Sequence, residues 1–579
     1  KVAVGALVAA LLALAALVAF VDTDAGHRFL ADRVAALSPS SGLKIRIGRI
    51  DGSVWGDTVL RDVRVYDPKG LFAESPMIEA DWQPLAWITN RLVVDELTSE
   101  LVILHRLPKL LPSAKPQPIL PGFDIYVGRL DIAQLRFEKG VTGEPRIAQV
   151  HGAADVRSGR AKIHLQAKVR DGGANLAFLL DAEPDRDHFD LDVKLAAPGN
   201  GVAAALLGTK RPIALDVHGD GRWSEWAGTA ELSLSGQSAA DLALRAEKGQ
   251  FNLSGSLTVS QFLQGKLQRL SQPRILLNAS ATLKDRRLDG TLSLRSTALK
   301  LESKGVIDLA KSGFDGVRIG VDLLQPQAMF TNMTGRAVRL GLLLDGPFGT
   351  AHFAYRLTTP HVAFDQTGFD DVRAEGRGQV SKPPVTVPIV FTARRVTGVG
   401  DVAGGILANL RVQGVLKVTD KRLAGEGLTL ASDKLKGKLS VLIDLVTGRY
   451  DVAVSGGLTR YFIPGLGIVD VTSELRVVPG AGGRGTLITG KGRAWVRRFD
   501  NRFLAGLAGG LPQIETDLVR GADRILHFRN LRLSGPSIRL AGNGFRRNDG
   551  TFFFEGTGAQ TQYGAVALTL DGRIDRPKL

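Results

Sequence analysis

The chain has 579 residues, enough for three or four ordinary domains or one long sheet, and contains no cysteine, which excludes disulfides, thiolate metal sites and thiol catalysis. Lysine and arginine exceed aspartate and glutamate by 16, and from Lys491 onward fifteen basic residues stand against eight acidic ones. Those arginines are scattered along strand-like stretches (Arg529, Arg532, Arg539, Arg546, Arg547) with no interleaved aromatics, the pattern of a solvated sheet face and not of a nucleic-acid footprint.

Residues 2–21 carry no charged or strongly polar side chain. At ~1.5 Å per residue such a segment spans the ~30 Å bilayer core, and it exceeds the ~7–15-residue apolar run of a signal peptide. Residues 1–21, with Val2, Leu7, Leu11, Leu14, Leu17 and Phe20 toward lipid, are therefore expected to form an uncleaved anchor. Lys1 before it and Asp22 and Asp24 after it place the remainder on the exported side. Over residues 22–41, Thr23 is expected to cap an amphipathic helix from Asp24 to Leu37, with Phe29, Leu30, Val34 and Leu37 on one side and Pro39 stopping it.

Strand patterns begin at residues 43–50, 58–68, 77–83 and 91–107. Pro108, Pro112, Pro116, Pro118 and Pro121 then interrupt the chain. Proline cannot donate to a ladder, so this stretch reads as a loop closing a strand module over residues 42–121.

Residues 122–579 are expected to form one elongated sheet, and from about Ile213 to the end apolar residues recur at every second position, which puts them on one face of each strand. The alternation marks Leu215 and Val217, Leu232 and Leu234, Leu242 and Leu244, Leu253 and Leu257, and Leu292 and Leu294. It continues at Leu340 and Leu342, Val387 and Ile389, and Val441 and Ile443. Eight Asp-Gly pairs, among them Asp220-Gly221, Asp289-Gly290, Asp345-Gly346, Asp549-Gly550 and Asp571-Gly572, read as hairpin turns of an antiparallel meander. Helix-compatible patches at 202–207, 262–270, 402–410 and 503–511 could cap or plug the apolar face. No fixed repeat period is present, which argues against a regular solenoid. Roughly 30–40 strands at ~4.8 Å spacing would extend at most about 150–190 Å.

Catalytic patterns are poor. The nine histidines are dispersed, and His151 and His164 lack a third ligand. The acidic run Asp181, Glu183, Asp185, Asp187, Asp190 and Asp192 lacks calcium-loop spacing and reads as a solvated hairpin. Residues 480–485 fit G-x-G-x-x-G and residues 485–491 continue as GTLITGK, yet Gly492 stands where a phosphate loop needs Ser or Thr, and the following RAWVRRF is strand-like. No enzyme, metal or cofactor is expected.

Three stretches carry a family resemblance: GLKIRIGRIDGSVWGDTVLRDVRVYDPKG (Gly42–Gly70), the segment Met77–Pro108 with its Trp82-x-Pro84-Leu85 element, and Gly199–Gly236. In this order, behind an apolar N-terminus, they resemble the TamB branch of the AsmA-like inter-membrane bridge proteins of Gram-negative bacteria. The resemblance implies an inner-membrane anchor and a periplasmic antiparallel sheet, mostly β with few short helices, curled into a long open groove. The groove's aliphatic lining would conduct phospholipid acyl chains toward the outer membrane. It also implies an outer-membrane partner of the Omp85 type (TamA-like), bound through a C-terminal domain. Family members are more than twice this long, so the chain is expected to correspond to their N-terminal portion. Two other readings stay open: an assembly factor for outer-membrane β-barrel proteins that templates strands at sheet edges, and a dry-cored β-solenoid or glycan-binding module.

Overall fold

The computed structural model describes residues 19–36, 42–89, 91–109, 124–142, 144–157, 160–170, 173–183, 186–201, 203–204, 209–463, 465–480, 485–573 and 576–578. The chain is mostly β, with 37 strands and a few short helices among these residues. Contacts divide it into two compact units. One holds residues 1–259, 274–293 and 305–313; the other holds 260–273, 294–304 and 314–579.

In the first unit, Lys44–Arg46 and Arg49–Gly52 both pair with Asp57–Asp67, which pairs with Gly70–Trp82. Gly70–Trp82 in turn pairs with Arg91–Ser99 and Val102–Leu104. The next strand, Asp124–Phe137, runs parallel to both of these, so the sheet is mixed and the expectation of antiparallel pairing throughout is corrected here. A parallel return needs a long connection, and residues 105–123, which carry five prolines, separate the two strands in the sequence. The start of this segment is tied down by the buried carboxylate of Asp67. Both terminal nitrogens of Arg106 donate to it (2.7 and 2.5 Å), as do the backbone N–H groups of Lys69 and Lys109. The Arg106 guanidinium above all holds this carboxyl well below the usual carboxylate range.

From Arg146–Arg157 each strand of the first unit pairs antiparallel with the next, through Asn175–Glu183, His188–Ala197, Ile213–Gly221, Glu225–Leu234, Gln237–Glu247 and Gln250–Leu257 to Ile275–Lys284. The second unit repeats this arrangement from Val338–Pro347 to Gly564–Arg573. Burial follows the alternation. Leu242 and Leu244 are half-buried while Ala243 and Arg245 are exposed, and Leu340 and Leu342 are half-buried between exposed Arg339, Gly341 and Leu343. The main core belongs to the second unit, around Val338, Val372, Val396, Leu410, Leu416 and Leu428.

The turns differ from the expectation. Of the five Asp-Gly pairs named above, only Asp549-Gly550 lies between strands; the other four fall within them. The two-residue reversals use Ser235-Gly236, Lys248-Gly249 and Asp285-Arg286, each with both residues at positive φ. That conformation suits the right-handed twist of the flanking strands, and surrounding pairing imposes it even on Arg286.

Helix α1, Asp24–Ala36, forms where Thr23 was expected to cap it, and the Gly26 N–H donates to Thr23 Oγ1 at 3.2 Å. Its buried side is Gly26, His27 and Ala31, with Leu30 packed toward Ile50 and Val54. Phe29 instead faces outward under the Arg33 guanidinium, 5.1 Å from its ring centre, so the apolar face lies elsewhere than expected. The small residues at 26 and 31 permit the closer approach. Of the anchor residues, Val2, Leu7, Leu11, Leu14 and Leu17 lie outside the described residues, as does Leu37; Phe20 is helical and exposed. No helix among the described residues is long and apolar enough to cross a membrane.

Candidate functional site

The second unit contains a cavity of about 2130 Å³. Strand register builds its main wall. Leu428 pairs with Leu439, Leu439 with Val454, and Val454 with Leu475. The row runs on through Gly490, Leu518, Phe528, Gly544 and Phe554 to Leu570. Residues opposite one another in a ladder share a face, so ten successive strands present one apolar line, and all of its members except the two glycines border the cavity. Two residues along each strand runs a second line: Val441, Val452, Val477 and Ile488, then Arg520, Leu526, Arg546 and Phe552.

Two short helices complete the lining. Helix α2, Asp401–Ile406, contributes Ala403 to Ile406, and helix α3, Arg502–Ala508, contributes Leu504, Leu507 and Ala508. Asn501 starts α3, its side-chain oxygen accepting from the N–H groups of Phe503 (3.0 Å) and Leu504 (3.2 Å). Gly509 ends it in the left-handed conformation. These helices fall in two of the expected plug regions. A third, at 262–270, holds the helix Gly265–Ser271, while much of 202–207 lies outside the described residues.

Within this unit the sheet curls. The turn after His352–Phe364 reaches strands far along the ladder, where Tyr450 donates to Asp365 Oδ2 at 3.0 Å and lies 3.1 Å from Thr486 Oγ1. Burial, chiefly, pushes the Tyr450 hydroxyl up to about 12. Arg520 Nη1 likewise donates to the Gly398 carbonyl at 3.1 Å.

An enclosed empty space of this size is not sustainable. At ~24 cal/mol per Å³ it would cost on the order of 50 kcal/mol, several times the ~5–15 kcal/mol by which a protein is stable. The cavity is therefore open to solvent or filled by a guest. It also exceeds the ~300–1,000 Å³ of a drug-sized ligand pocket.

Of the residues marked by alternation, Ile389, Val441 and Ile443 border this cavity, and Val387 packs in the adjoining core. Leu340 and Leu342, paired with Leu357 and Tyr355, lie outside it. Leu215 and Leu232 belong to the first unit, where with Leu176 and Leu195 they form a rung across four strands beside a smaller space of about 660 Å³. Val217, Leu234, Leu242, Leu244, Leu253, Leu257, Leu292 and Leu294 are half-buried on their strands but line neither space. Leu428, Leu475, Leu518, Phe528, Phe554 and Leu570 were not singled out by the alternation. Bulges hide several of them: register shifts between Gly425 and Leu428 and between Phe528 and Leu531, so apolar spacing there is no longer two.

The remaining motifs resolve into structure. The acidic run forms the hairpin of Asn175–Glu183 and His188–Ala197, with Asp181 paired to Lys162 at 2.8 Å and Glu183 to Arg160 at 3.2 Å. His151 lies 3.2 Å from Asp131, and His164 contacts Gln166. A strand, Thr486–Phe499, follows the glycine-rich residues 480–485 where a phosphate loop requires a helix. His361 and Asp370 are 2.7 Å apart, but the adjacent Thr359 hydroxyl is engaged with the Arg336 and His361 carbonyls. No three acidic or imidazole groups among the described residues are gathered as a metal site needs. Comparison with protein-family models and with curated proteins returns no match.

Proposed function

We propose that the chain is an inter-membrane lipid bridge whose curled sheet shelters acyl chains in an open hydrophobic groove. The observation that carries the reading is the aliphatic and aromatic row running from Leu428 to Leu570 along the large cavity. Each Å² of hydrocarbon that it takes from water is worth ~25 cal/mol, so a surface of this kind favours an acyl guest over solvent. The resemblance of residues 42–70, 77–108 and 199–236 to the TamB branch of the AsmA-like proteins points the same way. It brings with it an anchor over residues 1–21, an inner-membrane location with the sheet in the periplasm, and an outer-membrane Omp85-type partner. The direct test is mass spectrometry of lipid extracted from gently purified protein. Phospholipid in stoichiometric amount is the expected result; protein that emerges lipid-free, and stays so after incubation with phospholipid vesicles, would overturn the reading.

A further inference from the structure

We propose that Arg520, Arg524 and Arg546, at the strand-end edge of the large cavity, bind the anionic head group of a lipid whose acyl chains lie on the apolar row beside them. This rests on the lipid reading above and adds to it the class of head group.

Eight arginines border the cavity against two aspartates. Several are already neutralised: Arg394 pairs with Asp371, Arg493 with Glu515 and Arg547 with Asp571. Arg520, Arg524 and Arg546 make no ion pair among the described residues. Arg520 is half-buried, and it donates from Nε to the Arg524 carbonyl and from Nη1 to the Gly398 carbonyl, each at 3.1 Å. These neutral acceptors fix the guanidinium without cancelling its charge. Burial first, and then repulsion from Arg524, hold its pKa below the usual arginine value against the attraction of Asp523, whose carboxylate is engaged with His527 at 2.7 Å. Arg546 lies over the Phe552 ring at 5.8 Å.

Register puts charge and hydrocarbon on one face. Arg520 pairs with Leu526 and Leu526 with Arg546. Two residues inward along the same strands, roughly 7 Å away, stand Leu518, Phe528 and Gly544 of the apolar row. Arg524, in the turn, is exposed, so water reaches this edge. A neutral apolar guest would leave the half-buried guanidinium uncompensated, and a small soluble anion would leave the row uncovered. A zwitterionic head group would bring its ammonium against three cations. An amphiphile with net negative charge satisfies both surfaces through charge-assisted hydrogen bonds.

The test is equilibrium binding of the full chain to fluorescent phosphatidylglycerol and phosphatidylcholine with identical acyl chains. The wild type is expected to prefer phosphatidylglycerol by about tenfold, the scale of one hydrogen bond to a charged group, and to lose preference as salt rises. Arg520→Gln with Arg546→Gln is expected to bring the two lipids together, whereas Arg493→Gln keeps the preference. Arg524→Gln, at an exposed position, gives a partial loss and keeps the test readable if the double variant fails to fold. Glycerol 3-phosphate, lacking acyl chains, is expected not to displace the lipid. Equal binding of both lipids by the wild type, full preference in both the Arg520→Gln/Arg546→Gln and Arg524→Gln variants, or displacement by glycerol 3-phosphate at equal concentration would overturn the head-group site while leaving the lipid reading intact. Binding of neither lipid would overturn the lipid reading, and the head-group site with it.

Discussion

Tyr450 joins distant parts of the second unit through single polar contacts. Its hydroxyl joins a turn to strands far along the chain through Asp365 and Thr486, and burial raises it to about 12 from an ordinary 10.0. A raised folded-state value means that the neutral phenol is favoured by folding. Its contribution is full below pH 10 and is lost as pH rises from 10 through 12. Tyr450→Phe is expected to cost ~1 kcal/mol at pH 8, the net worth of a typical hydrogen bond, and to flatten the part of the alkaline stability loss that this group causes. Urea midpoints at pH 8, 10 and 11.5 check it; a variant that loses stability as steeply as the wild type above pH 10 would assign that loss to other groups. Nothing in the sequence distinguishes Tyr450 from the chain's other tyrosines, because its partners come from turns and strands that only the curl brings near.

At the scale of elements, the strands were legible and their bulges were not. Period two is a local property, set by side chains pointing to opposite faces, and Val441, Ile443 and Ile389, which it marks, border the cavity. A bulge adds one residue and inverts the face that follows it. Phe528, Leu531 and Leu533 therefore all border the cavity despite a spacing of three and then two. Glycines on the strand Thr486–Phe499 give a sharp test of how closely the sheet is packed. A Cβ at Gly490 would collide with the Glu474 carbonyl oxygen and approach the Leu475 Cα to 2.9 Å, both of them backbone atoms. At Gly492 it would meet side-chain atoms, the nearest being Leu518 Cδ1 at 3.1 Å. Gly490→Ala is accordingly expected to destabilise by ~1–3 kcal/mol, as overpacking does, and Gly492→Ala by much less. Paired thermal melts of the two variants decide; equal losses would contradict the assigned register.

If the second unit conducts lipid as proposed, its apolar row works as a path in series, and one interruption is enough to stop it. Leu475 stands mid-row between Val454 and Gly490. A charge there costs several kcal/mol to cover with hydrocarbon. In an open groove, however, an arginine can lift its head group to water along its apolar stem. Leu475→Arg is expected to leave protease resistance near that of the wild type while sharply reducing the phospholipid that co-purifies. Limited proteolysis alongside lipid mass spectrometry reads both. A variant that unfolds would favour a dry core, and one that keeps its full lipid content would remove Leu475 from the path.

Alternation was enough to establish a strand-dominated chain with one apolar face per strand, because it depends only on neighbours two residues apart. The caps at Thr23 and the short helices near residues 262–270, 402–410 and 503–511 were legible for the same local reason. Tertiary structure alone decided which strands meet and how. It made Asp124–Phe137 parallel to Arg91–Ser99. It placed reversals at Asp285-Arg286 instead of Asp289-Gly290. It brought Arg520 beside Gly398, and it chose the row from Leu428 to Leu570, out of many apolar rows, to border the large cavity. Strand register, bulges and curl arise from pairings between distant segments, and a period of two carries no information about which partner a strand will find.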